Sequence, residues 1–179
     1  MPAAVASGLP GGNSTVGQIE NAQQSGLYVA AGAKQTLKNN KKAGLYFVLN
    51  MHLSDTWAEP QDQRIPAAWQ KLSFPQLQKR LEAYCQRVIS TLRKGHAMPD
   101  MVTLRNEINR GILFPQGRLR VNGKPRWNRF TSLLNPAIAG VYAGSGSHKP
   151  KIMLQVGDFP DPLKFFQTFI KGSLVSAGY

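Results

Sequence analysis

The sequence predicts an α/β protein in which helices alternate with the strands of a parallel sheet. Three apolar runs, at residues 45–53, 100–104 and 151–156, are typical of buried strands. The clearest helical pattern lies between the first two runs, and another follows the third. Along the chain the predicted order is helix, strand, helix, strand, a middle segment without a clear hydrophobic period, strand and helix. This alternation predicts parallel βα units.

The length and composition of the chain allow one domain with a hydrophobic core. A chain of 179 residues with 42% hydrophobic content is too short for two full domains. Three strands supply only a small core, and a parallel sheet needs cover on both faces. The predicted elements therefore indicate part of a larger barrel or sheet.

The first half of the chain begins with a segment that has no clear hydrophobic period and continues into a predicted helix and a predicted strand. Residues 1–26 are rich in glycine, serine, alanine and asparagine and are predicted to be a flexible lead. Residues 27–43 carry apolar side chains near the helical period, and Gly44 can end such a helix. The run LYFVLNMHL, residues 45–53, then predicts a strand buried on both faces.

The strongest helix prediction follows a polar loop. Ser73 is a candidate N-cap with Gln76 three residues later, and Gly95 can end the helix. One apolar stripe runs along this helix and consists of Leu77, Leu81, Tyr84, Val88 and Leu92. The strands at 100–104 and 151–156 come next, and residues 161–170 predict the last helix.

The charge balance is strongly basic without indicating a specific nucleic-acid partner. The chain has 22 Lys and Arg against 9 Asp and Glu, a net charge of +13, which suits a polyanion or an anionic surface. The basic residues are scattered, and no zinc-finger, KH or RNP signature is present. Solvated helix and loop faces explain them equally well.

Cysteine content and hydropathy exclude several other classes. Cys85 is the only cysteine, so an internal disulfide is excluded, and its helical surroundings predict a structural thiol. The N-terminus has no basic and apolar signal-peptide pattern, and no run approaches the roughly 20 apolar residues of a membrane span. No ligand spacing of the HExxH kind occurs, so we predict neither a metal site nor a cofactor.

Polar side chains follow the ends of two predicted strands, where enzymes built on parallel sheets place their chemistry. His52, Asp55 and Trp57 follow the first strand, and Asn106 and Glu107 follow the second. Structural alternatives exist: His52 as a satisfied core histidine, and Asp55 as a turn or cap residue. Glu107 is harder to explain structurally, because burying a carboxylate is costly unless the group is paired or used.

Three segments carry a resemblance to a known family: NMHLSDTWAEPQDQRIPAAW, PDMVTLRNEINRGILFPQG and KIMLQV. In order and spacing they resemble the arabinogalactan endo-β-1,4-galactanases of glycoside hydrolase family 53. The resemblance implies a (β/α)8 TIM barrel, of which residues 27–179 would form a partial catalytic domain covering about strands three to five. It also implies galactan or arabinogalactan as the partner, a monomer, and a secreted, extracellular family.

The resemblance further implies a role for each candidate site residue. Glu107 would be the general acid/base of a retaining hydrolysis and would start protonated, and Asn106 would bond the 2-hydroxyl of the sugar. His52 and Asp55 would line the cleft, and Trp57 would stack on galactose, although a core role for this tryptophan is equally open. The family takes its nucleophile from the seventh strand, which this chain would not reach, so we expect the chain alone to be inactive.

Four positions depart from the family pattern near the expected site. Arg105 stands where the family usually has Gly, and we expect its charge to lie beside Glu107. Asn50 replaces the usual Asp, Phe114 the usual Trp and Gln155 the usual His. A non-catalytic remnant or a basic polyanion-binding protein is therefore the alternative to a galactanase.

Overall fold

A computed structural model describes residues 6–8, 14–19, 44–157 and 162–172 of the chain. The described helices are α1 (Phe74–Lys94), α2 (Trp127–Ser145) and α3 (Pro162–Gly172). The described strands are β1 (Ala6–Gly8), β2 (Ser14–Ile19), β3 (Tyr46–Met51), β4 (Met101–Leu104), β5 (Gly111–Ile112), β6 (Gly117–Arg118), β7 (Arg120–Val121), β8 (Lys124–Pro125) and β9 (Lys151–Met153). The helix expected at 27–43 lies outside the described residues.

One open sheet forms the centre of the fold, with strand order β1-β2-β3-β4-β9. The last four of these strands are mutually parallel, and β1 runs antiparallel to β2. Strands β3, β4 and β9 confirm the three predicted apolar runs, although β9 ends three residues earlier than expected. Within the described residues the sheet does not close, so the structure is an open α/β fragment and not a complete barrel.

Strand β2 was not predicted. It lies within the segment 1–26, for which the sequence suggested a flexible lead, and it pairs with β3 over six residues, from Ser14 opposite Tyr46 to Ile19 opposite Met51. The β-branched residues of STVGQI favour an extended chain. The Gly- and Ser-rich surroundings hide this short signal, and the parallel pairing that stabilises the strand is a long-range contact.

Helix α1 begins and ends as predicted. The backbone N–H of Ser73 donates to Oε1 of Gln76 at 2.8 Å, as in a capping box, and Gly95 is the C-cap residue. The residues of the predicted apolar stripe are all buried in the core, where α1 packs on α2. Cys85 is also fully buried on this helix, and burial raises the pKa of its thiol to about 12.

Helix α2 lies in the part of the chain where the sequence shows no clear period. It contains Pro136, and its glycines allow close packing on α1. A Cβ on Gly140 would collide with the carbonyl oxygen of Glu82, and one on Gly144 would collide with that of Gln86. The glycines that weaken the helical pattern in the sequence are therefore the contact points between the two helices.

The core lies between the helices and one face of the sheet. Phe47, Leu49 and Met51 of β3 point into it, together with Phe130 of α2. The opposite face of the strands is more polar: Asn50 and Thr103 are paired in register on β3 and β4, and Met153 of β9 is partly exposed. No helix among the described residues combines the length and apolar character required to cross a bilayer.

Candidate functional site

The loops that follow β3, β4 and β9 meet at the carboxyl edge of the sheet. The backbone N–H of Ile108 donates to the carbonyl of Gln155 at 3.0 Å, and that of Gly157 donates to Oδ1 of Asn109 at 2.8 Å. These contacts tie the β4 and β9 loops together. The carboxyl ends of parallel strands are where enzymes with this architecture carry their active sites.

Glu107 lies at the centre of this junction and is half-buried. Its backbone has φ +46°, in the left-handed region that costs a non-glycine residue about 1 kcal/mol. Its carboxyl group packs directly over Gly157, where a Cβ atom would come within 2.6 Å of Cδ and Oε1. The absence of a side chain at Gly157 is therefore what makes room for the Glu107 carboxylate.

Asn106 is buried and joins the β4 loop to the β3 loop. Its Nδ2 donates to the carbonyl oxygen of Ala58 at 2.7 Å. Its own carbonyl oxygen accepts from Nε2 of Gln63 at 2.8 Å. The Asn106–Glu107 pair is thus anchored on both sides, by the loop after β3 and by the loop after β9.

His52 is fully buried at the end of β3 and is held in one tautomer. Its Nδ1 accepts a hydrogen bond from the N–H of Ala58 at 3.3 Å, so the neutral ring carries its proton on Nε2. Burial, assisted by the positive charge of Arg105, lowers the pKa of His52 to about 4. Nε2 has no hydrogen-bond partner among the described residues, so it presents a buried, unused donor.

Trp57 and Asp55 lie on the same loop but are used differently. Trp57 is 49% exposed, and its ring lies against His52 with the centroids 4.8 Å apart. Oδ2 of Asp55 accepts from the N–H of Ala67 at 2.7 Å, at the start of the short 3-10 helix Ala67–Trp69. Asp55 therefore caps this short helix, which is one of the structural alternatives that the sequence left open for it.

Arg105 does not extend beside Glu107 as expected, because its guanidinium is fully buried under the β3 loop. Nη1 donates to the carbonyl of Leu53, and Nη2 donates to that of Arg64 at 3.0 Å. Burial lowers the pKa of Arg105 to about 9, although the Asp62 carboxylate opposes this shift. The φ of +72° at Arg105 lies in the left-handed region that favours glycine.

Gln63 is the residue that sequence analysis missed and that organises the site. Its side chain is fully buried; Oε1 accepts from Nε of Arg105 at 2.6 Å, and Nε2 also donates to the carbonyl of Glu59 at 2.9 Å. Its backbone carbonyl accepts from the N–H of Phe114 at 2.6 Å. Nothing in the sequence of a polar loop distinguishes a glutamine that is buried and hydrogen-bonded in this way from one that is exposed to solvent.

Trp127 has a structural role, and Asn50 leaves a polar atom without a partner among the described residues. The ring of Trp127 packs edge-on against Phe130, Phe165 and Phe169, so this tryptophan belongs to the core. Asn50 is buried, and its Oδ1 has no hydrogen-bond partner within the described part of the chain. Across the residues that the structure describes, no group of three or more His, Cys, Asp or Glu is arranged to hold a metal.

Comparison with known proteins gives this geometry a family context. Residues 13–171 match the sequence model of the family described as Glycosyl hydrolase family 53. The arabinogalactan endo-beta-1,4-galactanase of Cellvibrio japonicus is 32% identical over 136 residues, which cover 74% of this chain and 36% of that protein. The chain therefore spans little more than a third of the length of this relative.

Solved structures agree with the sequence matches. One of two fungal beta-1,4-galactanases superposes with a TM-score of 0.73 at 28% identity, over 87% of this chain and 45% of the other. The GH53 catalytic domain of Ignisphaera aggregans superposes with a TM-score of 0.69 at 29% identity, over 80% of this chain and 37% of that domain. Since the family match covers most of the chain and includes the strands that carry the candidate site, this protein belongs to glycosyl hydrolase family 53.

Proposed function

We propose that this protein is part of a glycoside hydrolase that cleaves internal β-1,4-galactosidic bonds of galactan or arabinogalactan, with Glu107 as the acid/base. The observation that carries the proposal is the carboxyl group of Glu107, seated over Gly157 where the loops of three parallel strands meet. The names of the curated relatives support the substrate class. An extracellular location and a monomeric state are further parts of the proposal and rest on the family resemblance alone.

In the proposed reaction Glu107 first acts as an acid. It donates its proton to the glycosidic oxygen as the bond to the anomeric carbon breaks, and it then removes a proton from the water that releases the sugar. A retaining mechanism also needs a carboxylate nucleophile about 5–5.5 Å from the acid/base. We further propose that this nucleophile belongs to a part of the family fold that this chain does not match, and that the 179 residues alone therefore release no sugar.

The surrounding side chains are proposed to bind the sugar. His52 is proposed to donate to a sugar hydroxyl through Nε2–H, which has no partner among the described residues and which becomes accessible when the Trp57 ring packed against it moves. The exposed ring of Trp57 offers an apolar face for a pyranose. Asn106 is proposed to contact the 2-hydroxyl, and Asp55 to line the cleft through Oδ1 while its other oxygen caps the following turn.

The proposal is tested by supplying the missing part of the barrel. Residues 13–171 replace the matching segment of the Cellvibrio japonicus galactanase, and release of reducing sugar from β-1,4-galactan is measured. The graft should be active while the 179-residue chain is not. Glu107→Gln should lower the rate of the graft by about 10²- to 10⁴-fold, the usual contribution of general acid catalysis.

Glu59→Gln is the matched control, because Glu59 is an exposed carboxylate on the neighbouring loop. It should change the rate of the graft by less than about threefold, as expected for a surface substitution that affects binding or stability by under 0.5 kcal/mol. Equal effects of the two substitutions would assign the Glu107 carboxylate a structural role. That result would favour the alternative, a non-catalytic basic protein of the same family.

A further inference from the structure

Positive charge is concentrated in the part of the chain that follows Glu107. Residues 108–157 contain eight Lys and Arg and no Asp or Glu. Five of these basic residues fall within 118–129, which includes the hairpin β7–β8 and the first turn of α2. No acidic side chain within this stretch compensates them, so an anionic partner is the natural source of the missing negative charge.

An open pocket lies in this basic region, between the N-terminal turns of α1 and α2. It has a volume of about 370 Å³ and is lined by Phe74, Arg126, Asn128, Arg129 and Ser132. The lining thus includes two arginines, an asparagine and a serine, and no acidic residue. Neither helix has an acidic residue in its first turn, so the helix dipoles add to the positive potential of the arginines.

Arg129 is held in place before any ligand arrives. Its guanidinium carbon lies 3.8 Å from the centroid of the Phe74 ring, and its Nη2 donates to Oε1 of Gln116 at 2.7 Å. Its Nε donates to the carbonyl oxygen of the same residue at 3.2 Å. A planar guanidinium fixed in this way pays less conformational entropy on binding an anion than a mobile lysine does.

The position of the aromatic rings indicates which kind of anion fits. Single-stranded nucleic acid binds to basic grooves in which aromatic faces are open for bases to stack. Here the guanidinium of Arg129 stacks on one face of the Phe74 ring, and that of Arg118 stacks on one face of the Phe114 ring at 4.2 Å. With a guanidinium already on each ring, the groups offered to a ligand are N–H donors, which suit the planar carboxylate and bind it by paired hydrogen bonds.

We propose that this pocket binds the carboxylate of a uronic-acid unit in an anionic polysaccharide, at a subsite separate from the galactan cleft. The choice of a polysaccharide rests on the proposed function. It is also supported by the side of the sheet on which the pocket lies, because the N-terminal turns of α1 and α2 follow the loops after β3 and β4, and the second of these loops carries Glu107. A polysaccharide with both neutral and acidic units would therefore be held beside the cleft by its acidic units.

Isothermal titration of the full 179-residue chain with oligogalacturonate tests this proposal. The same oligosaccharide with every carboxyl methyl-esterified, neutral galactan oligosaccharide and an oligo-dT of equal charge are titrated under the same conditions. Oligogalacturonate should bind at least about tenfold more tightly than its methyl ester, and the affinity should fall as ionic strength rises. Equal affinity for the ester, or tighter binding of oligo-dT, would overturn the proposal.

Substitutions locate the binding to the pocket. Arg126→Gln should weaken oligogalacturonate binding by about tenfold, the effect of losing one charge-assisted contact. Lys94→Gln removes the same charge at the other end of α1, about 30 Å along the helix from Phe74, and should change the affinity by less than about twofold. Equal effects of the two substitutions would show a diffuse charge effect and overturn the pocket assignment. Loss of galactan hydrolysis in the graft would leave these binding results unaffected, so the two proposals fail separately.

Discussion

Replacing Gln63 by leucine should destabilise the protein, because the Gln63 side chain joins the loops that carry the site. The change removes the hydrogen bonds that Nε2 donates to the carbonyls of Glu59 and Asn106, with a longer one to that of Glu107, worth about 2 kcal/mol together. It also leaves Nε of the buried Arg105 without its acceptor, at a cost of about 1.5–3 kcal/mol. Better burial of the leucine side chain offsets about 1–1.5 kcal/mol.

The net loss from Gln63→Leu is therefore about 2–4 kcal/mol, which corresponds to a decrease in Tm of about 5–15 °C for a chain of this size. Thermal unfolding followed by tryptophan fluorescence measures it, with the buried Trp69 as a reporter inside the core. Gln86→Leu, on the exposed face of α1, is the control and should change the free energy of unfolding by less than about 0.5 kcal/mol. Equal Tm shifts for the two variants would refute the role assigned to Gln63.

Three further predictions concern single residues. The pKa of His52 is about 4 in the folded protein against 6.5 for an ordinary histidine, so the unfolded chain binds more protons between these values. The free energy of unfolding should therefore fall by at most about 3 kcal/mol as the pH drops from about 6.5 to 4. An equal dependence of the free energy of unfolding on pH in the His52→Gln variant would contradict this prediction. Gly157→Ala should displace the Glu107 carboxyl group and lower the activity of the graft. The Tm should change little, because the group that must move is the end of a flexible side chain. Unchanged activity would contradict the position described for the Glu107 carboxyl group. Cys85, whose pKa burial raises to about 12, should resist iodoacetamide at pH 8 until the protein unfolds, and rapid alkylation of the folded chain would contradict its burial.

Elements governed by local pattern could be predicted from the sequence. Helix α1 has a capping pair at Ser73 and Gln76, one apolar stripe and a terminal glycine, and all three signals agree. Helix α2 has the opposite character, since Pro136 and the glycines at the α1 contact weaken its pattern. Packing between the two helices, which no local window contains, decides its structure.

The candidate site divides in the same way. Glu107 could be singled out as a candidate because a carboxylate after an apolar strand is unusual, and in the structure it lies at the junction of three loops. The direction of the Arg105 side chain could not be predicted. It depends on acceptors 41 to 52 residues away in the chain, at Arg64, Gln63 and Leu53. Only the folded β3 loop brings those acceptors to one place.

The most direct test of the acid/base assignment compares two substrates in the graft. Galactan has a poor leaving group that needs a proton from Glu107, whereas a dinitrophenyl β-galactobioside has a leaving group that needs none. In Glu107→Gln the rate on galactan should fall by about 10²- to 10⁴-fold. The rate of dinitrophenolate release in the first turnover should change by less than about tenfold. Slow hydrolysis of the glycosyl-enzyme should then follow this burst. Equal losses on both substrates, or no loss on galactan, would contradict the assignment of Glu107 as the acid/base.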